Sequence, residues 1–188
     1  GYHGSRTDYY NRSNSYLNEV IDDREGIPIT LSVIFIELAS RINVELYGLG
    51  LPGHFVVFYK EQGKRKIVDP FNNGKPISTE EADQIVKDQL GTGKSSEYEP
   101  ADSLSIVKRI IYNLKGITID NKEYENALNY LNLLIEIDPN DPQERLSRAI
   151  LNIQTKQEKN AKSDLEWLLN TKPEGIHLQR IQELYNRL

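Results

Sequence analysis

The chain has 188 residues, 38% apolar and 27% charged, with a formal net charge of −5, a balance that favours a folded core over a disordered chain. Neither part is basic, with 11 Lys and Arg against 15 Asp and Glu before Pro100 and 12 against 13 after it, so a surface that tracks phosphates has little support. The absence of cysteine excludes disulfides, thiolate zinc sites and a thiol nucleophile.

Residues 14–23 (NSYLNEVIDD) read as a short helix, with Asn14 or Ser15 placed to cap the free N–H groups of its first turn. The turn Arg24-Glu25-Gly26 ends it. Pro28 suits the first position of a second helix, where a missing N–H costs nothing. Leu31, Ile34, Phe35, Leu38 and Ala39 then recur at helical spacing as far as Arg41. Apolar nearly all round, this helix is expected at the centre of the fold. Three β-rich runs follow at 45–51, 55–60 and 64–68, the last two joined around Gln62-Gly63 as a hairpin. Pairing outward from that loop brings His54 and Asp69 to within a residue or two of each other. Cross-strand neighbours lie roughly 5 Å apart, so imidazole and carboxylate can meet. Residues 69–74 leave the sheet as a turn, and 79–90 read as a capped surface helix.

The second half repeats. Ala127 and Ala161 lie 34 residues apart, as do Leu131 and Leu165, Leu134 and Leu168, and Pro139 and Pro173. That is the period of tetratricopeptide units, each a helix pair with a small residue at the close crossing and a Pro after its end. Helices are expected at 103–117, 124–137, 143–155, 159–169 and 176–188, with Lys115 and Ala149 in the slots where such repeats carry Gly. The domain plan is therefore a core over 1–91, a polar linker over 92–102 and a helical region over 103–188.

Four motifs in order, Asn14-Ser15-Tyr16-Leu17, Arg24-Glu25-Gly26-Ile27-Pro28-Ile29-Thr30-Leu31-Ser32, Pro52-Gly53-His54-Phe55 and Asp69-Pro70-Phe71, resemble the bacterial SirB family over nearly the whole chain. The resemblance implies an α+β fold: a transglutaminase-like (papain-like) core with a small antiparallel sheet, followed by all-α tetratricopeptide-type helices. It also implies further helical sequence upstream, in keeping with a chain that opens on Gly1 and contains no Met. The wider transglutaminase-like group sets a Cys at the start of a central helix, a His on a following strand and an Asp or Asn on the next. There the helix end stabilises the thiolate, the imidazole moves the proton and the carboxylate orients the imidazole. His54 and Asp69 fall on the His and Asp positions, while the Cys position falls near Pro28 to Thr30 and holds no thiol.

Thr30 and Ser32 are the only hydroxyls in that first turn, and a hydroxyl nucleophile needs a base hydrogen-bonded to it and a formed oxyanion site. The expectation is that both are structural or contact a ligand. Asn14 reads as a helix cap or a polar contact in the cleft, and Arg24 as a brace for the loop before Gly26 or an anion ligand. Pro28 and Phe55 complete the residues expected to bind a partner. The run Lys64-Arg65-Lys66 reads as a solvated turn.

The function expected is that of a non-catalytic pseudoenzyme or adaptor. It would bind a peptide or protein partner through the former cleft, the helical surface or both. The alternative is a hydrolase or acyl-transfer enzyme in which His54 and Asp69 act with a hydroxyl or a water. No cofactor or metal is expected from three scattered His (His3, His54 and His177), nor a nucleic-acid partner. No membrane span is expected either, because the apolar stretch 27–59 is broken by Glu37, Arg41 and Glu45. The expected location is cytoplasmic, and the oligomeric state is left open.

Overall fold

The computed structural model describes residues 1–188 as two compact units, Gly1–Ile110 and Ile111–Leu188. In the first unit, strand β1 (His3–Gly4) is followed by a 3-10 turn (Arg12–Ser15), helix α1 (Leu17–Asp23), β2 (Glu25–Gly26) and helix α2 (Pro28–Ser40). Strands β3 (Tyr47–Leu51), β4 (His54–Glu61), β5 (Lys64–Asp69) and β6 (Lys75–Ile77) come next, and then helix α3 (Thr79–Leu90). The last four strands form one antiparallel sheet in sequence order, and β1 and β2 pair in parallel as a separate two-stranded ribbon.

The β4–β5 hairpin has the expected loop and the pairs Val57↔Val68 and Glu61↔Lys64, so its register is set by the Gln62-Gly63 turn. Both residues of that turn take positive φ, 50° and 75°, the conformation a two-residue hairpin loop demands. One apolar cluster gathers Leu49, Leu51, Val56, Phe58 and Ile67 with Ala82 and Val86 of α3. A second joins Ile27 and Ile29 to Phe55, and a third joins Val20, Leu31 and Ile34 to Phe71. Capping of α3 is reciprocal: Ser78 Oγ accepts from Glu81 N and Glu81 Oε2 accepts from Ser78 N.

Two expectations need correction here. Helix α2 is central only through its first part, since Phe35 and Leu38 remain 38% and 48% exposed; its apolar run extends past the surface it packs on. The stretch 92–102 is no free linker. Ser95 donates through both N and Oγ to Asp83 Oδ1 at 2.7 Å, Pro100 bridges to Leu49, and Ala101 N donates to Gly48 O. Polar side chains there satisfy neighbouring backbone and carboxylate groups, so the division falls within helix α4 (Ser103–Asp120) and not before it.

The second unit continues α4 and adds α5 (Tyr124–Ile137), α6 (Pro142–Gln154), α7 (Glu158–Thr171) and α8 (Leu178–Asn186). Ala127, Ala161, Leu131 and Leu165 are all 0% exposed, and Leu134 and Leu168 no more than 1%. Residues one period apart thus occupy equivalent buried positions, as a stack of helix pairs requires. Asp141 caps α6 by accepting from Gln143 N and Glu144 N, with Pro142 at the first helical position. Three ion pairs lie inside this unit: Lys115 with Glu144, and Arg145 and Arg148 each with Asp164. No helix of the chain is long and apolar enough to cross a membrane.

Candidate functional site

His54 opens β4 and Asp69 closes β5, and the hairpin register brings them together: His54 Nε2 donates to Asp69 Oδ2 at 2.8 Å. An ionised carboxylate only accepts, so this bond keeps a proton on Nε2, and in the neutral ring Nδ1 is then the acceptor. Nδ1 has no hydrogen-bond partner in the chain. The side chains are 15% and 3% exposed, so the pair sits at the edge of the interior.

Asp69 is held from a second direction. As it leaves the strand it caps the 3-10 turn Pro70–Asn72, with Oδ1 accepting from Asn72 N at 3.2 Å and Oδ2 from Asn72 Nδ2 at 2.7 Å. Burial pushes the Asp69 carboxyl up, but the bonds from His54 and Asn72 outweigh it and hold the group below its ordinary value. Arg6 Nη2 donates to Asn72 Oδ1 at 2.6 Å, and its guanidinium lies 5.8 Å from the Phe71 ring centre. Phe71 in turn meets the imidazole edge-on at 6.1 Å. The His54 main chain has its own anchor, because Arg109 Nη2 donates to the carbonyls of Leu51 and His54, both at 2.8 Å.

The start of α2 lies against this hairpin but does not arm it. Thr30 Oγ1 donates to Asn14 O at 2.8 Å and to Ile27 O at 3.1 Å, and accepts from Ile27 N at 3.1 Å. A Cβ on Gly26 would lie 2.8 Å from that hydroxyl, so the glycine makes room for it. Ser32 Oγ points at Phe55 O in a long 3.4 Å bond. Both residues are 0% exposed, and neither hydroxyl bonds to His54.

Of the other residues expected to bind a partner, most are buried. Asn14 is not the cap of α1. Its Nδ2 donates to the carbonyls of Asp8 and Tyr9, tying the N-terminal loop to the 3-10 turn, while Tyr16 takes the cap position without a side-chain bond. Pro28 is the buried first residue of α2, and Phe55, 1% exposed, fills the space above Gly48, where a Cβ would meet its ring at 2.8 Å. Arg24 has an exposed side chain and closes α1 through its backbone in the left-handed conformation. Asn14, Pro28, Thr30, Ser32 and Phe55 are therefore all buried, and their polar side chains are bonded to main-chain groups of the chain itself. Sequence reasoning missed Asn72 and Arg109. An Asp-Pro-x-Asn run is a legible turn signal for Asn72, whereas nothing near Arg109 in sequence announces a bond across 55 residues.

Residues 1–112 match the model of the Transglutaminase-like superfamily, and residues 114–186 match that of the Tetratricopeptide repeat. A UPF0162 protein of Xylella fastidiosa (strain 9a5c) is 32% identical over 188 residues, covering 97% of this chain and 67% of that protein. The UPF0162 protein of Vibrio cholerae serotype O1 is 25% identical over 192 aligned positions, covering 100% of this chain and 71% of that protein. UPF0162 protein YchA of Escherichia coli (strain K12) is 23% identical with the same coverage, 100% and 71%. No solved structure gives a significant match. The chain belongs to the UPF0162 family, with a transglutaminase-like domain followed by tetratricopeptide-repeat helices.

Proposed function

We propose that this chain is a non-catalytic transglutaminase-like protein of SirB type, a cytoplasmic adaptor that binds a peptide or protein segment. The observation that carries the reading is the state of the two hydroxyls at the start of α2. Thr30 is committed to the carbonyls of Asn14 and Ile27 and Ser32 to that of Phe55, both in fully buried positions. A nucleophile has to bond to its base and reach an acyl carbon, and neither residue is placed for that. His54 and Asp69 then serve to lock the end of the hairpin. Because Asn14, Pro28, Thr30, Ser32 and Phe55 are buried, we assign partner contact to the helical-repeat unit.

One observation favours a second reading, a hydrolase that uses water. His54 Nδ1 has no partner, and an imidazole oriented by a carboxylate with one free nitrogen is the arrangement of a general base. A fluorophosphonate probe, which phosphonylates activated hydroxyls with loss of fluoride, tests the first reading: no labelling of Thr30 or Ser32 is expected. Labelling at either residue that disappears in His54→Ala would overturn it.

A further inference from the structure

We propose that Asn73 is a site of spontaneous deamidation that the turn after Asp69 keeps closed, and that its conversion to isoaspartate releases the His54–Asp69 pair. The geometry of that turn carries this independently of the adaptor reading. Asn73-Gly74 is the one Asn-Gly step in the sequence. A glycine in second place leaves its backbone nitrogen open to the asparagine side chain, because no Cβ stands in the way. Asn73 is exposed, and nothing lies within 4 Å of the place a Cβ on Gly74 would take.

The reaction needs water and no other reagent. Gly74 N bonds to Asn73 Cγ as the Cγ–Nδ2 bond breaks, and the proton lost from Gly74 N departs with Nδ2 as ammonia. Water then opens the cyclic imide. Cleavage between Gly74 N and Cγ gives aspartate, and cleavage between Gly74 N and the main-chain carbonyl carbon gives isoaspartate. Either product adds a carboxylate, and isoaspartate also routes the main chain through Cβ and Cγ, lengthening it by one atom.

The folded turn blocks the first step twice. Asn73 holds φ 59° and ψ 32°, and at that ψ its Cα–Cβ bond lies nearly opposite the bond to Gly74 N. The reacting atoms are therefore kept from the close approach that bond formation needs. Gly74 N also donates to Asp69 O at 2.9 Å, which occupies the proton it has to lose. Both blocks lift only when the turn opens, so the rate follows the open fraction. Asp69 governs that opening, since its carboxylate accepts from Asn72 N, Asn72 Nδ2 and His54 Nε2. The coupling is reciprocal. A lengthened main chain and a new negative charge within the turn pull Gly74 N from Asp69 O and loosen the hold on the carboxylate that orients His54.

The test ages the full chain in mildly alkaline buffer, folded and in guanidinium chloride. Mass spectrometry follows the peptide carrying Asn73, and an isoaspartyl methyltransferase with labelled S-adenosylmethionine counts the isoaspartate. Folded wild type is expected to deamidate about tenfold or more slowly than the unfolded chain. Asn72→Ala, which removes one bond to Asp69, should deamidate faster than wild type when folded and at the wild-type rate when unfolded. A second measurement needs no variant: the isoaspartate fraction of aged wild type, separated by ion exchange, should show His54 imidazole resonances shifted from those of the unmodified fraction. Absence of isoaspartate from the unfolded chain would overturn the site. Equal rates folded and unfolded would overturn the closing role of the turn, and unmoved His54 resonances would overturn the coupling.

Discussion

Arg109 donates through Nη2 to the carbonyl oxygen of His54 and, at the same 2.8 Å, to that of Leu51, so one guanidinium spans the Pro52-Gly53 turn that delivers the imidazole. The same group lies 5.5 Å from the Phe55 ring centre. Lysine has no planar fork with which to reproduce the shared bond and the stacking. Arg109→Lys is expected to cost about 1–3 kcal/mol and to move the His54 ring resonances. Urea unfolding and NMR of the imidazole protons check both, and an unmoved His54 signal would remove Arg109 from the positioning of the site.

The carboxyl of Asp69 titrates below its ordinary value in the folded protein, so it stabilises the fold at pH above the ordinary carboxylate range. That contribution is lost as the pH falls through the folded value. Asparagine has no such dependence. Wild type should exceed Asp69→Asn by about 1–3 kcal/mol at neutral pH, with the gap closing as the pH falls below the ordinary carboxylate range and through the folded value. Urea midpoints measured across that range give the comparison, and a constant gap would mean the carboxylate charge is not what Asn72 and His54 hold.

At the helix crossings the expectation is steric. Ala127 and Ala161 have no exposed surface, and replacing either with Leu should overpack its crossing by about 1–3 kcal/mol. Thermal melts of the two single variants test this. Neutral shifts in both would break the link between the period and the packing.

Asp164 is 1% exposed and receives bonds from Arg145 and Arg148, the former also lying 4.4 Å from the Trp167 ring centre. Asp164→Ala leaves two cations facing each other with no anion, a loss of about 3 kcal/mol or more. Chemical denaturation measures it, and the additional loss of Arg148 should be much smaller than the sum of the single losses.

The parts of this architecture written in periodic patterns were legible in the residues alone. Helices α5 to α8 follow from the 34-residue spacing, and the meeting of His54 with Asp69 follows from their flanking one short hairpin. Strands of two or three residues were not legible, because β1, β2 and β6 are too short to show alternation, and β6 carries Pro76. Helix α2 shows the limit of composition: an apolar run reports that burial is available, not that a partner surface extends far enough to cover Phe35 and Leu38. Asn14 and Thr30 could not be assigned from sequence, since a hydroxyl or amide that satisfies a distant carbonyl leaves no spacing signal.

On the proposed reading His54 and Asp69 orient one another without a nucleophile to serve. A turnover screen of wild type and His54→Ala on ester, amide and amine-transfer substrates decides this. Both proteins should show the same background rate on every substrate. A wild-type rate well above background that falls away in His54→Ala would contradict that reading, and would promote His54 from a structural partner of Asp69 to a general base.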